Sequence, residues 1–382
     1  MKKIHVQIAL VGGQPTPVYQ GIVHLLPDQV VLVCSEMTEK VAEHIREQLP
    51  SYDKGNVIIY KISDKDVATM YKEIEEIEQA IPKGISMSLN ITGGMTLWSV
   101  IFNNVFRRKR RSCRTFCLGQ DGSFFDMKEK LTVGKVAFDM DAQFKILGHQ
   151  LDEFMPLTDY TAEDFAVLNV VQSLGFNTKT HMSLFRITQQ FVDECKKQNS
   201  NILYRKDHTC IGGQDKLEWK SEQHEFKLTL GDKEYTFASP HVEHIVLNTG
   251  WFELYVARLI AKKYEAKNVR LNCVFRNVKG QAKNEIDIIV NTGSKLIFVE
   301  CKTQIFNATD IDKFRSAVRN YGGLGSKPLF ITNWQMKPDG LEKCNDHRIA
   351  TFYTANADYT NQQERVDALS AVLDNLNKTW NV

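Results

Sequence analysis

The sequence predicts an α/β protein in which two α/β units flank a less regular connector. Strand-like and helix-like segments alternate along the first 130 residues, the pattern of a parallel sheet with crossover helices. A strongly apolar hairpin near residue 290 is followed by further helices and strands, which predicts a second α/β unit. The chain has 382 residues, too many for one core, so two or three domains are expected.

The composition excludes several classes of protein. The chain is 43% hydrophobic and 25% charged, which is typical of a folded protein and not of a disordered one. The net charge is only +2, so any binding to nucleic acid must come from local patches. The eight cysteines form no CxxC pair and no repeated spacing, which argues against a zinc ribbon and a disulfide framework.

The hydropathy pattern predicts a cytoplasmic protein without a membrane partner. The start, Met-Lys-Lys-Ile-His-Val-Gln, lacks the long apolar segment of a signal peptide. There is no uncharged apolar run of about 18 residues, so no transmembrane helix is expected.

Residues 1–148 are predicted to form the first domain, a Rossmann-like fold with a parallel sheet. Helices are expected at Thr38–Leu49 and Asp66–Ala80, and a closing hairpin at Arg114–Leu118 and Ser123–Met127. The β-branched runs that predict the parallel strands are His5–Val11, Val30–Cys34, Val57–Ile62 and Ile85–Ile91.

Residues 149–239 are predicted to be a connector subdomain. One helix is expected at Thr161–Ser173, with Thr161 as its N-cap and two acidic residues in its first turn. The other predicted elements are a helix at Leu184–Lys197 and a small hairpin of Glu225–Leu230 and Lys233–Phe237.

Residues 240–382 are predicted to form the second α/β domain. It begins with one long helix, His241–Tyr264, and continues with a hairpin over residues 285–302. The later predicted elements are a helix near Thr309–Tyr321, strands at Leu329–Thr332 and Ile349–Tyr353, and a helix around Gln362–Leu376.

The hairpin carries acidic residues at one end. We place its turn at Asn291–Ser294, with Val290 opposite Lys295, so Asp287 and Glu300 become diagonal neighbours at about 7–8 Å. Two carboxylates at that distance can share one cation. Strand alternation assigns Ile286, Ile288, Ile297, Val299 and Cys301 to one apolar face, and Glu285, Asp287, Glu300 and Lys302 to the other.

Acidic residues beside one lysine suit the hydrolysis of a phosphodiester. Carboxylates are the ligands that Mg²⁺ and Mn²⁺ prefer, and such a cation lowers the pKa of a bound water. Lys302 lies on the same face as Glu300 and can orient that water or neutralise developing charge. The alternative is an ordinary ion pair at an exposed strand end. The apolar strands around the acids favour the functional interpretation.

Glu253 is a further candidate within the long predicted helix. The helix is apolar nearly all round, so a carboxylate there needs a partner, and a metal-bound water or Lys302 could serve. The alternative is an ion pair at the helix edge with Arg258 or Lys262.

Two glycine-bearing segments follow strands of the first domain. They are Val11-Gly-Gly-Gln-Pro-Thr-Pro17 and Asn90-Ile-Thr-Gly-Gly-Met-Thr96, and the second opens a helix. Glycine lets a backbone approach a ligand, and a helix N-terminus offers free N–H groups to an anion. The carboxyl ends of strands in open α/β sheets are where ligands bind. Neither segment is a Walker A motif or a dinucleotide fingerprint.

The acidic hairpin resembles the site of the PD-(D/E)XK nucleases. Glu253 on a helix, then Asp287, then Glu300-Cys301-Lys302 follow the order of that restriction-endonuclease-like fold, although Ile286 replaces the usual proline. The resemblance implies metal ligands at Asp287, Glu300 and Cys301, a catalytic lysine at Lys302 and an accessory acid at Glu253. Lys313, Arg315 and Arg319 of the next helix are candidate phosphate contacts, or equally a solvated helix face.

The Asn-x-Thr-Gly-Gly-x-Thr segment resembles the signature of CARF domains, the sensors of CRISPR systems. The whole chain is similar to the CARF–nuclease effectors of type III CRISPR. This resemblance implies a homodimer that binds a cyclic oligoadenylate, here cyclic tetra-adenylate, and then cuts single-stranded DNA or RNA or nicks duplex DNA. The implied binding residues are Gly12, Gly13, Gln14, Thr16, Asn90, Thr92, Gly93, Gly94 and Thr96, with Ser35 and Glu36 nearby.

Two other functions remain open at this point. One is a ligand-responsive regulator that binds nucleic acid without cutting it, using the helices 161–173 and 184–197 as a helix-turn-helix. Its recognition helix would present Gln189, Gln190, Lys196 and Lys197. The other is a RecB-like repair nuclease without a ligand switch, which leaves the Asn90–Thr96 segment unexplained.

Overall fold

The structure is a computed structural model, and statements about it concern the residues that it describes. These are residues 4–49, 52, 54–110, 112–119, 122–127, 129–136, 138–175, 178–197, 207–247, 250–276, 282–303, 309–323, 325–355, 359 and 361–378. Within them, no helix is both long and apolar enough to cross a membrane.

The first part of the chain forms a largely parallel sheet with helices on both faces. Its spatial order is β3-β2-β1-β4-β5-β6-β7. The neighbours from β3 to β5 are parallel, whereas β6 is antiparallel to both β5 and β7. The strands are β1 (His5–Leu10), β2 (Gln29–Cys34), β3 (Val57–Lys61), β4 (Ser86–Asn90), β5 (Arg114–Leu118), β6 (Ser123–Asp126) and β7 (Leu131–Lys135). The helices are α1 (Thr16–Leu25), α2 (Glu39–Glu47), α3 (Val67–Ala80) and α4 (Thr96–Lys109).

This sheet is buried on both faces, as the continuous β-branched runs predict. Val6, Ile8 and Leu10 pack on one side with α3 and α4, and Ala9 and Val11 pack on the other with α1 and α2. The predicted strands and the β5–β6 hairpin are therefore confirmed. Since β1 and β4 are adjacent and parallel, the two glycine-bearing segments leave the sheet side by side.

A short helix, α5 (Met140–Ile146), belongs to two cores at once. The Asp139 carboxylate caps it by accepting hydrogen bonds from the N–H groups of residues 141 and 142. Ala142 and Ile146 pack into the core of the first sheet, whereas Met140 and Phe144 pack into the core around the acidic hairpin. The helix therefore links the N-terminal and C-terminal parts of the chain.

The middle of the chain contains helices and a separate antiparallel sheet. The helix predicted at Thr161–Ser173 is confirmed, and the Asp164 N–H donates to the Thr161 hydroxyl at 3.3 Å. The second predicted helix begins earlier, at Thr178, in a polar stretch without apolar periodicity. The elements are β8 (Leu151–Pro156), α6 (Ala162–Gly175), α7 (Thr178–Lys197), β9 (His208–Gly212), β10 (Asp215–Lys220), β11 (Glu225–Leu230) and β12 (Lys233–Ala238), and the sheet order is β12-β11-β10-β9.

The last part forms a mixed sheet in the order β17-β16-β15-β14-β13-β8. β15, β16 and β17 are parallel, while β15, β14, β13 and β8 are antiparallel to their neighbours. The elements are α8 (Val242–Val246), α9 (Gly250–Ile260), β13 (Val269–Arg276), β14 (Ala282–Asn291), β15 (Leu296–Lys302), α10 (Thr309–Gly322), β16 (Lys327–Thr332), α11 (Pro338–Asp346), β17 (Ala350–Tyr353) and α12 (Gln362–Lys378).

The single long helix predicted at His241–Tyr264 is wrong, since α8 and α9 are separate helices. α8 ends at Val246, and the backbone of the next residue, Leu247, is extended at φ −94° and ψ 157°. α9 begins at Gly250, where a Cβ would lie 1.6 Å from the carbonyl oxygen of His244, so only glycine fits. Apolar periodicity continues through this break, which is why the pattern alone predicted one helix.

Candidate active site and glycine-rich loops

Three of the predicted residues meet at one end of the hairpin. The Lys302 Nζ lies 2.7 Å from Glu300 Oε1 and 3.6 Å from Asp287 Oδ2. The side chains of Asp287 and Glu300 are only 12% and 14% exposed, and that of Lys302 is 38% exposed. An ion pair this well shielded is unlike the mobile pairs of exposed strands, which contribute little to stability.

The predicted register of the hairpin is wrong by two residues. Val290 lies opposite Ile297 and not opposite Lys295. The turn is closed one residue later than predicted, by a hydrogen bond from the Thr292 N–H to the Lys295 carbonyl at 3.0 Å, with Gly293 at φ +86°. Continuing this register places Asp287 directly opposite Glu300, nearer than the predicted diagonal.

The assignment of Ile286 to the face of Ile288 is also wrong. Ile286 packs with Ile289 and Phe298, whereas Ile288 packs in the core on the opposite side of the sheet. The alternation breaks opposite Asn272 of β13. In the register of β13 and β14 this residue would pair with Asp287, but its φ is +50° and the pair does not form. Asp287 therefore occupies an irregular point in a central strand.

Glu253 faces a cavity that the hairpin also lines. It lies in the first turn of α9, and the cavity of about 570 Å³ includes Glu285, Asn272 and His244 in its wall. Arg258, the partner in the alternative interpretation, instead donates to Asn169 Oδ1 at 2.7 Å. The positive charge of Lys302 instead acts on Glu253, where it opposes the rise in the pKa of the carboxyl group.

The site places several carboxylates beside one lysine, and burial shifts the pKa values of these groups. Burial raises the pKa of Glu300 to about 7, aided by Asp287 and opposed by Lys302. Burial also raises the pKa of Asp287, and burial together with Asp287 raises the pKa of Glu253 well above its ordinary value. Burial would lower the pKa of Lys302, but the Asp287 and Glu300 carboxylates raise it, so the lysine stays charged.

Cys301 contributes its main chain to this site and not its thiol. The thiol is buried in the apolar core, and burial raises its pKa well above the ordinary value. The Cys301 N–H donates to Asp287 Oδ2 at 2.7 Å. In a strand the N–H and carbonyl of one residue point to the same side, so the Cys301 carbonyl also faces Asp287. Only that oxygen suits the predicted metal-ligand role.

The residues present fit a hard divalent cation in their chemistry. The Asp287 and Glu300 carboxylates have raised pKa values because burial disfavours their charged forms, and a bound Mg²⁺ or Mn²⁺ would stabilise those charged forms. Across the described ranges, no three His, Cys, Asp or Glu side chains already converge with the geometry of a metal site. Lys302 instead lies between the two carboxylates.

The two glycine-bearing loops touch backbone to backbone. A Cβ on Gly12 would lie 2.7 Å from the Gly94 nitrogen, and a Cβ on Gly93 would lie 2.2 Å from the Leu10 carbonyl oxygen. Gly94 has φ +73°, a conformation that favours glycine. These three glycines are therefore required by the fold of the loops. By contrast, Gly13 is exposed, and a Cβ there would meet nothing within 4 Å.

Asn90 and Thr92 hold the second loop in place. Asn90 is fully buried, donates to the Pro17 carbonyl at 3.3 Å and accepts from the Thr92 N–H and hydroxyl at 3.0 and 2.6 Å. The Thr92 hydroxyl also accepts from the Leu118 N–H at 2.8 Å. Both side chains are thus committed to the protein itself, so the surface left for a ligand is the backbone and the exposed Thr96.

The remaining predicted loop residues differ in their exposure and in their hydrogen bonds. Gln14 is half-buried, and the Thr16 hydroxyl donates to the Gln143 side chain of α5. Ser35 is buried and accepts the Thr38 hydroxyl, or donates to it, at 3.3 Å, while Glu36 is exposed.

Sequence reasoning did not identify Gln143 or Trp334. Gln143 is 127 residues from Thr16 along the chain, so no local pattern marks their contact. Trp334 follows strand β16 at the edge where Lys302 ends β15, and a tryptophan just after a polar strand end is the only signal in the sequence.

The C-terminal part of the chain matches a known domain family. Residues 242–366 match the Card1-like endonuclease domain family. No curated protein matches the chain. Can2 from Sulfobacillus thermosulfidooxidans, solved with cyclic tetra-adenylate, is 17% identical with a TM-score of 0.69, covering 98% of this chain and all of that one.

Two further solved structures share the fold. Protein VC1899 from Vibrio cholerae is 13% identical with a TM-score of 0.70, covering 98% of this chain and 97% of that chain. A type III CRISPR defence DNA nuclease activated by cyclic oligoadenylate is 15% identical with a TM-score of 0.53, covering 88% of this chain but 46% of that chain.

The predicted fold class is confirmed by these matches, which span both α/β units and the connector between them. The acidic hairpin, Glu253 and α10 all lie within the matched endonuclease residues. Residues 242–366 thus match the Card1-like endonuclease domain, in a chain whose overall fold is that of Can2.

Proposed function

We propose that this protein is an endonuclease of type III CRISPR defence that depends on Mg²⁺ or Mn²⁺ and is activated by cyclic tetra-adenylate. It cuts single-stranded DNA or RNA, or nicks duplex DNA. The observation that carries the proposal is the shielded cluster of Asp287, Glu300 and Lys302 inside a Card1-like endonuclease domain. The Can2 structure contains cyclic tetra-adenylate, which supports this activator.

Asp287, Glu300 and the Cys301 carbonyl would hold the metal, which would supply a Lewis acid for the scissile phosphate and for a water molecule. Lys302, kept protonated by its two carboxylate neighbours, neutralises charge that develops on the phosphate oxygens. Glu253 has a raised pKa and faces the open cavity, so it can hold a proton near the site and pass it to a leaving oxygen.

The activator binds at the carboxyl ends of β1 and β4. The exposed backbone of Gly13 and the N-terminus of α4 at Thr96 offer N–H groups to its phosphates. Asn90 and Thr92 act by fixing the loop and not by touching the ligand. This positioning role is consistent with the full burial of Asn90.

The active form is a homodimer in which these loops face each other. Met95, just before α4, and Leu97 and Val100 within α4 are 39%, 37% and 52% exposed, and neighbouring exposed apolar residues of this kind suit an interface. Contact with a second copy about a two-fold axis would cover them and present two sets of loops to one symmetric ring.

Helix α5 carries the signal from the loops to the nuclease. The Thr16 hydroxyl, at the start of α1, donates to Gln143, and the Gln143 amide lies 3.4 Å from the Gly322 carbonyl at the end of α10. Asp141 of the same helix accepts two hydrogen bonds from Arg270 of β13, at 2.6 and 2.9 Å. A movement of the first glycine loop therefore acts directly on the sheet that holds the acids.

The regulator that binds without cutting has less support. In α7, the Gln189 amide donates to Asp193 at 3.0 Å and the Gln190 amide donates to Glu194 at 2.9 Å. These amides are engaged within the helix and are not presented to bases.

One experiment tests the proposal against its alternatives. The full-length protein is incubated with Mn²⁺ and labelled single strands, with and without cyclic tetra-adenylate, beside Glu300→Ala. We expect cleavage that requires the activator and is lost in the variant. The absence of cleavage under every condition would contradict the proposed nuclease activity. Cleavage without the activator would favour a repair nuclease. Cleavage by Glu300→Ala would contradict the proposed metal site.

A further inference from the structure

Trp334 stands at the same edge of the sheet as the acidic cluster. β15 and β16 are parallel, and Lys302 is the register partner of Thr332. The Asn333 N–H donates to the Lys302 carbonyl at 3.2 Å, so the two strands are still joined one residue later. Trp334 is the next residue. It therefore lies two residues beyond Thr332, the strand end that neighbours the lysine.

Trp334 is about half exposed to solvent. It is 46% exposed, whereas Trp98, Trp219 and Trp251, the other tryptophans that the structure describes, are 2% exposed or less. Indole has a large apolar surface whose burial stabilises a fold. Leaving this ring half-exposed forgoes that stabilisation, which points to a partner outside the chain.

The backbone under the ring is fixed. The Thr332 hydroxyl donates to the Trp334 carbonyl at 2.7 Å. The Thr354 hydroxyl donates to Asn333 Oδ1 at 2.8 Å, and the Ala355 N–H donates to the Asn333 carbonyl at 2.9 Å. Residues 332–334 are thus held by β17 and its following turn. An exposed ring on a held backbone loses little freedom when a ligand stacks on it.

We infer that Trp334 is a stacking platform for an unpaired nucleobase next to the scissile phosphate, and that it selects single-stranded nucleic acid. A base in a duplex is covered on both faces by its neighbours, whereas an unpaired base has a free face. Stacking on an aromatic ring accepts every base, because every base has a flat π-face. The inference rests on the proposed nuclease function and names the residue that determines its substrate class.

The test compares Trp334→Ala with Trp334→Phe in the full-length protein with Mn²⁺ and cyclic tetra-adenylate. For a labelled single strand we expect Trp334→Ala to raise KM about ten-fold with little change in kcat, the size expected for one stacked base. Trp334→Phe should retain most of the wild-type KM because it keeps an aromatic face. Phe185→Ala is the matched control, since Phe185 is 45% exposed and lies on α7. It should leave KM unchanged.

Binding separates this inference from the proposed function. Anisotropy of a labelled single strand is measured with Ca²⁺ in place of Mn²⁺, using wild type and Trp334→Ala, and using strands with an abasic position near the cut. Wild type should lose about ten-fold in affinity with one abasic strand, and Trp334→Ala should lose nothing further. Equal affinity of wild type and Trp334→Ala for the intact strand overturns the inference, even where the enzyme cuts normally. A wild type that binds but never cuts contradicts the proposed function alone.

Discussion

Asp287 is held by the backbone of the strand beside it, because its Oδ2 accepts the Cys301 N–H at 2.7 Å. The same oxygen lies 3.6 Å from the Lys302 Nζ, so both contacts use one side of the carboxylate. We expect the other oxygen to be the one that a cation takes. The acid is thus positioned by main-chain geometry before any metal binds, which limits the reorganisation that binding requires.

Glu300→Gln is expected to abolish most cleavage while the protein stays folded. The amide keeps the shape of the side chain but removes a charged oxygen from the proposed metal site, so kcat should fall by about 100-fold or more. Cleavage of a labelled single strand with Mn²⁺ and cyclic tetra-adenylate measures this. Glu265→Gln is the control, because Glu265 is 71% exposed and pairs with Lys267. Near-normal kcat in Glu300→Gln contradicts the proposed role.

The stability of the metal-free protein is expected to carry a penalty from Glu300 above neutral pH. The folded pKa of about 7 exceeds the ordinary value of 4.5, so the folded state binds more protons between these values. Its stability therefore falls as pH rises from 4.5 to 7, by up to about 3 kcal/mol from this group. Urea denaturation of wild type and Glu300→Gln in EDTA measures the difference, which should grow in favour of the variant over this range.

Added Mn²⁺ should remove that penalty at pH 8. Binding to the folded state alone raises the free energy of unfolding by mass action, and it neutralises the excess negative charge. The Tm of wild type should rise with Mn²⁺, and the Tm of Glu300→Gln should rise much less. Equal rises in both proteins would place the cation elsewhere.

Much of the fold could be predicted from the sequence, and the failures have physical causes. Buried parallel strands such as β1 and β4 are continuous β-branched runs, so their pattern is clear. The hairpin register depended on which residue of Asn291–Lys295 begins the turn. Only the backbone shows that Gly293 takes the positive φ. β13 was left unpredicted although its residues alternate in burial, and the positive φ of Asn272 within it has no sequence signature.

The convergence of the acidic residues and the lysine could be predicted from the sequence, but the contacts of the loop residues could not. Asp287, Glu300 and Lys302 are close in sequence, so strand alternation was enough to bring them together. Asn90 and Thr92 were expected to face a ligand, yet they bind Pro17 and Leu118 of distant elements. Contacts between residues far apart in the chain follow from the tertiary fold, which no local pattern contains.

Gly13→Ala is expected to weaken activator binding without changing stability. A Cβ at Gly13 meets nothing within 4 Å, so the fold accepts it, but it stands where the backbone is proposed to approach a phosphate. Isothermal titration with cyclic tetra-adenylate should show an affinity about ten-fold lower with an unchanged Tm. Gly55→Ala is the matched control, because its Cβ also meets nothing within 4 Å. If Gly13→Ala binds as wild type does, the ligand does not approach this backbone.

Gln143→Leu is expected to uncouple the activator from the nuclease. The leucine keeps the volume but cannot accept from Thr16 or donate to the Gly322 carbonyl. Each such hydrogen bond contributes about 0.5–1.5 kcal/mol, so loss of both should lower the stimulation of cleavage by about 5- to 150-fold. Titration calorimetry should show affinity for cyclic tetra-adenylate close to wild type. Single-strand cleavage with and without the activator gives the stimulation.

Lys145→Ala controls for a change in α5 itself, since Lys145 is exposed on the same helix. A general weakening of the helix would lower the Tm of Gln143→Leu and reduce cleavage with and without the activator alike. Loss of coupling lowers only the stimulated rate, because Asp287, Glu300 and Lys302 are unchanged. Full stimulation in Gln143→Leu would show that the signal reaches the acids by another path, and the paired hydrogen bonds of Asp141 with Arg270 are the next contact to test.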